Sequence, residues 1–268
     1  MIARMLQIAG LVALVGAAAP AHAGRSCETR LPLAASVEQS LQLAHRTMRE
    51  LDASGAEVVL LARAGQDLSR YRLRWSHVGW AYKDEAGWRV VHKLNQCGSA
   101  RGDLYRQGLA EFFLDDPFEF RAGYAVPAPE VQRALRTVLA DNERAAQLHT
   151  ANYSMVAYPW AMRYQQSNQW AIETLALSQL LATSGSPGRS NAGRDVAQTW
   201  LLVKGYEPGV LRLGPLTRLG ARMTAANVAF DDHPDEKRYA DRIETVTADS
   251  VFQWLARAQL ASPMREIR

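Results

Sequence analysis

Along the chain, apolar positions fall into two kinds of rhythm, and the switch between them lays out the fold. From Ser36 to Leu51 the residues Val37, Leu41, Leu43, Ala44, Met48 and Leu51 recur at helical spacing, with Ser36 as a candidate cap. Residues 56–62 (AEVVLLA) form a short apolar run after Ser54-Gly55, which reads as a buried strand. Residues 72–82 and 88–94 read as two further strands, and the polar, glycine-ended stretch 83–87 between them has hairpin composition. Together these predict a small antiparallel meander.

Beyond the meander the rhythm becomes mainly helical. Residues 102–113 are amphipathic and stop at Asp115-Asp116-Pro117, and 118–126 can form one more strand before Pro127 and Pro129. Residues 130–149 predict a helix with Val131, Ala134, Leu135, Val138, Leu139 and Leu148 on one face. A second long helix is predicted from Ser167-Asn168 to Ala182; being apolar on nearly all sides, it belongs in the middle of the fold. Residues 183–194 (TSGSPGRSNAGR) have linker composition, and shorter helices are expected at 196–204, 216–226 and 250–261. The expected class is α+β: an N-terminal helix, a small antiparallel sheet, a buried central helix and additional C-terminal helices. In this scheme 24–182 is the core, 183–194 a linker or surface loop, and 195–268 a helical segment packed on the core.

The first 23 residues stand apart from this pattern. Arg4 is their only charge, an apolar run follows from Met5 to Ala19, and Pro20 precedes the small-x-small triplet Ala21-His22-Ala23. That order predicts a signal peptide cleaved after Ala23, and a mature protein that is periplasmic or secreted. No later stretch approaches 18 uninterrupted apolar residues, so no transmembrane segment is expected in the mature chain. The 31 basic and 27 acidic residues give +4, and loss of Arg4 leaves +3. The basic residues are dispersed among acids, which disfavours nucleic-acid binding.

Export also bears on the two cysteines, Cys27 and Cys97. In an oxidising compartment such a pair is expected to form a disulfide. Closing the loop between them, about 70 residues, is worth about 4 kcal/mol in the chain-entropy picture. The alternative is that Cys97, followed by Gly98, is a free nucleophile.

Candidate chemistry concentrates in three places: His77 in the segment Ser76-His77-Val78-Gly79, His92 on the next strand, and Ser167 with Asn168 and Gln169 at the start of the buried helix. Histidines on paired strands can sit on one face as a base and its orienter. A hydroxyl at a helix N-terminus meets the positive end of the helix dipole, which favours an anionic nucleophile. Each residue also has a plainer role: His77 and His92 as satisfied strand histidines, Ser167 as a helix cap, Asn168 and Gln169 as partners of backbone groups. Trp75 is either core or, beside His77, part of a binding surface. Asp115-Asp116 reads as a solvated turn. Asp231-Asp232-His233 has metal-ligand residue types, yet neighbours in a polar turn rarely converge on one ion, so no metal or cofactor is expected.

The segments VVLLARAGQDLSRYRLRWSHVGWAYKDEAGWRVVHKLNQCG, LYRQGLAEFFLDDP, YQQSNQWAIE and NVAFDDHP resemble the uncharacterised bacterial domain-of-unknown-function 2145 family across nearly the whole mature chain. The order AEVVLLA, SHVG, WRVVH and a polar helix start also resembles the circularly permuted NlpC-type papain-like hydrolases. That second resemblance implies a permuted papain-like core, with His77 as catalytic base, His92 as the third polar residue, and Ser167 or Asn168 at the place of the nucleophilic cysteine. No cysteine lies between Leu148 and the C-terminus, so the thiol itself is missing. The expected function is therefore that of a papain-like hydrolase, active or degenerate, acting on an envelope peptide, amide or acyl ligand. The competing expectation is a non-catalytic periplasmic binding or assembly factor.

Overall fold

The computed structural model describes residues 32–115, 117–183 and 192–268. The signal-peptide region, Cys27, Asp116 and most of the expected linker (184–191) lie outside the described residues. Helix α1 (Ala34–Ala53) leads into β1 (Val58–Ala64), β2 (His77–Asp84), β3 (Gly87–Asn95) and β4 (Gly102–Gly108). Then follow α2 (Leu109–Phe113), β5 (Glu119–Ala125), α3 (Pro129–Leu139), α4 (Asn142–Ala146) and α5 (Ser167–Thr183). The chain continues through α6 (Arg194–Val203), β6 (Gly209–Arg212), α7 (Pro215–Thr224), α8 (Asp235–Tyr239), β7 (Arg242–Thr245), α9 (Ala248–Arg257) and β8 (Arg265–Ile267).

The protein is α+β, and its sheet is larger than the expected meander. Six antiparallel strands run in the order β4-β3-β2-β1-β5-β8, while β6 and β7 form a separate two-stranded ladder. Two segments of the pattern resolve in the structure, and one reading needs correction. Residues 102–113 are a strand followed by a single helical turn. The helix expected over 130–149 is broken at Asp141, whose carboxylate accepts from the backbone N–H groups of Glu143 and Arg144 and so starts α4 anew. The three-residue β8, which zips Ile267 to Ala122 and Arg265 to Tyr124, is too short to announce itself in sequence.

Helices cover both faces of the sheet, which explains why β1 is buried throughout and apolar except at Arg63. Val58, Leu60, Ala62 and Ala64 pack with α3, α5, α6 and α9; Val59 and Leu61 point the other way, against α1 and α2. The β2–β3 hairpin turns through Glu85-Ala86. Asp84 accepts from the Ala86 N–H there, and Gly87 adopts the positive φ (115°) that the exit from the turn requires. The C-terminal segment completes the body: α9 enters the main core and β8 the main sheet. No helix among the described residues is long and apolar enough to cross a membrane.

Candidate functional site: a neutral histidine pair and a sealed helix start

The strand register decides which groups meet. His77 lies opposite Arg63 on β1, and its neighbour Val78 belongs to the core beneath α5. Alternation therefore turns the His77 ring to the α1/α2 face. On β3 the same alternation sends Val91 to the α5 face and Val90 with His92 to the α2 side. Gly79 lies between the two histidines. A Cβ there would stand 2.7 Å from Val90 Cγ1 and 3.0 Å from His92 Cβ, so only glycine leaves space for His92 to reach His77.

The two rings make a directed chain. His77 Nε2 is 2.8 Å from His92 Nδ1, and His92 Nε2 is 2.8 Å from Gln107 Oε1 on β4. A carbonyl oxygen can only accept, so His92 carries its proton on Nε2; its bare Nδ1 then accepts from His77 Nε2–H. His77 is left with an unprotonated Nδ1. Phe112 of α2 packs on both rings, with centroids 6.0 Å and 5.2 Å away. Arg63 stacks over Phe112 at 4.9 Å, donates to the Phe112 carbonyl and pairs with Asp115.

Burial, with the Arg63 cation adding to it, pushes the His77 imidazole well below its ordinary range and the His92 imidazole down to about 3. Both rings are neutral near pH 7. Arg63, Gln107 and Phe112 had no part in the sequence reading. Gln107 could have been found only by reading 102–108 with a period of two.

The start of α5 is a different environment, on the opposite face of the sheet. Ser167 is bonded to the Tyr153 hydroxyl at 3.2 Å, and no hydrogen bond joins it to either histidine. The helix is not capped by Ser167. Gln166 Oε1 accepts from the N–H groups of Asn168 and Gln169, so the amides that would stabilise an anion are already occupied.

Asn168 is fully engaged as well. Its Oδ1 accepts from Val78 N–H at 3.0 Å, where β2 has not yet paired with β3, and its Nδ2 donates to the Val246 carbonyl at 3.1 Å. Gln169 donates to the Pro159 carbonyl and to Glu173. Asn168, Gln169 and Trp75, the residues expected to bind a ligand, are all buried in the folded chain. Trp75 is 2% exposed and packed against Gly123, whose missing Cβ would lie 2.9 Å from the indole.

One helical turn further on, Glu173 accepts from Arg194 Nε at 2.8 Å and Nη2 at 3.1 Å, and from Gln165, Gln169 and Gln198. The whole group is buried. Beside it Lys93 donates to the Thr150 carbonyl (2.6 Å) and to Gln165 Oε1 (2.9 Å). Burial first, and then the Arg194 charge, pull the Lys93 ammonium down to about 7, against the opposing pull of Glu173. This ionic cluster was missed because its members lie far apart in sequence and three of them are glutamines in helical or loop contexts.

Two other expectations find a place. His233 donates from Nε2 to the Glu244 carbonyl (3.0 Å) and bonds Asp232 through Nδ1 (2.9 Å), so both of its nitrogens serve to tie β7 to the preceding turn. Cys97 lies on the turn after β3, and no free cysteine stands among the described residues. No group of three or more metal-ligating side chains comes together among those residues.

The fold and the site thus define an α+β protein with a buried neutral histidine pair on one face of its sheet and a sealed polar cluster on the other. The chain belongs to the family described as "uncharacterized protein conserved in bacteria (DUF2145)", whose model matches residues 50–255. No curated protein and no solved structure matches it.

Proposed function

We propose that this is an exported protein of the bacterial envelope that binds, and does not cleave, an amide-containing ligand such as a peptide or acyl chain. In this reading residues 1–23 are removed after Ala23, Cys27 and Cys97 are joined in the oxidising periplasm, and the core descends from a permuted papain-like hydrolase. The contact between His77 and His92 and the placing of the α5 start against β2 support that ancestry. Against retained hydrolysis stands one observation: Ser167 and the His77 ring lie on opposite faces of the sheet, with the α5 amides occupied by Gln166. A serine without a base to take its proton is a poor nucleophile, and a histidine depressed so far is a weak base.

The test uses the chain from Gly24 onward with a fluorophosphonate serine probe and a panel of envelope peptides, amides and esters. The expected result is no labelling and no turnover, together with saturable binding of at least one amide ligand by calorimetry. Labelling or turnover that disappears in both Ser167→Ala and His77→Ala would restore the hydrolase.

A further inference from the structure

Helix α7 is amphipathic in the wrong direction for a helix that serves only the core. Its sequence, PLTRLGARMT, places Leu216, Leu219 and Met223 within about 60° of one another around the axis, at 100° per residue. Those three side chains are 84%, 56% and 78% exposed, and no residue of α7 is buried. The inward side is small and polar. Ala221 touches the minor core formed by Leu213, Val228, Phe230 and Ile243, and Arg218 reaches back to the Leu213 carbonyl and to Asp241. Large apolar groups thus point to solvent while the fold is contacted by an alanine.

The charges beside this stripe are mainly basic, with Asp241 the acidic partner of Arg218. The helix holds Arg218 and Arg222 and no acidic residue, and Arg212 on β6 precedes it. Arg212 and Arg222 are exposed, whereas Arg218 is committed to Asp241. An exposed leucine–methionine face with basic neighbours has the composition of a helix that lies in the interface of an anionic bilayer, its apolar side in the acyl boundary and its cations at the headgroups. A protein partner would need no such charge asymmetry.

We infer that α7 is a peripheral membrane-docking helix, which seats the protein on anionic lipid through Leu216, Leu219 and Met223 with Arg222 and Arg212 at the phosphates. The inference stands on α7 and its flanks, and holds whether or not the histidine pair has any chemistry.

The experiment is co-sedimentation of the chain from Gly24 onward with vesicles of phosphatidylcholine alone or mixed with phosphatidylglycerol, at low and high salt. Binding is expected only to the mixed vesicles and is expected to weaken with salt. Leu216→Ser/Met223→Ser should lower the partition coefficient at least about tenfold, since each fully buried side chain of this size is worth more than that factor. Arg222→Glu should weaken binding to the mixed vesicles while leaving the salt-insensitive part unchanged. Because these side chains are exposed, the variants should fold, and unchanged circular dichroism confirms it. Absence of vesicle binding overturns the inference, as does binding that the variants leave intact. It is equally overturned by a concentration-dependent dimer in sedimentation velocity that the double variant abolishes, since a second copy would then cover the stripe.

Discussion

Replacing His92 by glutamine should make the protein more tolerant of acid, by an amount that follows from the histidine chain. A glutamine can accept from His77 Nε2–H and donate to Gln107 Oε1, so the hydrogen bonds persist while one titrating ring is removed. In the folded protein His92 resists protonation down to about 3, whereas in the unfolded chain it titrates near 6.5. Below 6.5 the unfolded state therefore holds a proton that the folded state refuses. Stability contributed by this depression is fully present above 6.5 and is lost as pH falls toward 3, at about 1.4 kcal/mol per pH unit.

His77 is lowered as well, so its contribution is lost in the same direction as pH falls. Between 6.5 and about 4.5 the wild type should lose roughly 2.7 kcal/mol through His92, a loss that His92→Gln avoids. Urea unfolding at several pH values measures both proteins, and protonation of the carboxylates cancels in the difference. The informative quantity is the stability gap between variant and wild type, which should grow by about 2.7 kcal/mol across those two pH units. Parallel pH profiles would refute the reasoning, because they would mean that His92 takes up its proton in the folded state as easily as in the unfolded one.

Gly79→Ala forces a methyl group against Val90 and His92 and should cost about 1–3 kcal/mol in urea or thermal unfolding. Lys93 gives the opposite edge of the pH profile. Its folded value is near 7 and its unfolded value 10.5, so the unfolded chain binds the extra proton between them; stability should rise with pH over that window, and Lys93→Met should flatten the rise, measured by chemical denaturation. Glu173→Gln leaves the buried Arg194 without its counter-charge and should lose about 3–5 kcal/mol or fail to fold, read by circular dichroism and denaturation. Thiol titration of the denatured, unreduced chain from Gly24 onward should find no reactive thiol, and reduction should lower stability by about 4 kcal/mol.

By itself the sequence determined the α+β class, the buried strand β1, the β2–β3 hairpin and the central helix α5. Each of these is encoded by neighbours: a seven-residue strand apolar except for Arg63, a polar turn ending in Gly87, a 17-residue helix with apolar residues on nearly all sides. The pairing of His77 with His92 was legible for the same reason, since two histidines on consecutive hairpin strands come near each other once the register is set.

What only the tertiary structure decided was the side of the sheet on which each group lies. Strand side chains alternate, so one residue of register separates a His77 that faces α5 from one that faces α2, and spacing alone gives no sign of which occurs. The capping of α5 by Gln166 in place of Ser167, the closing of the sheet by β8, and the meeting of Lys93, Glu173 and Arg194 depend on contacts between distant segments. Those contacts form because buried polar groups must be satisfied and both faces of an apolar sheet must be covered, conditions that the folded chain meets as a whole.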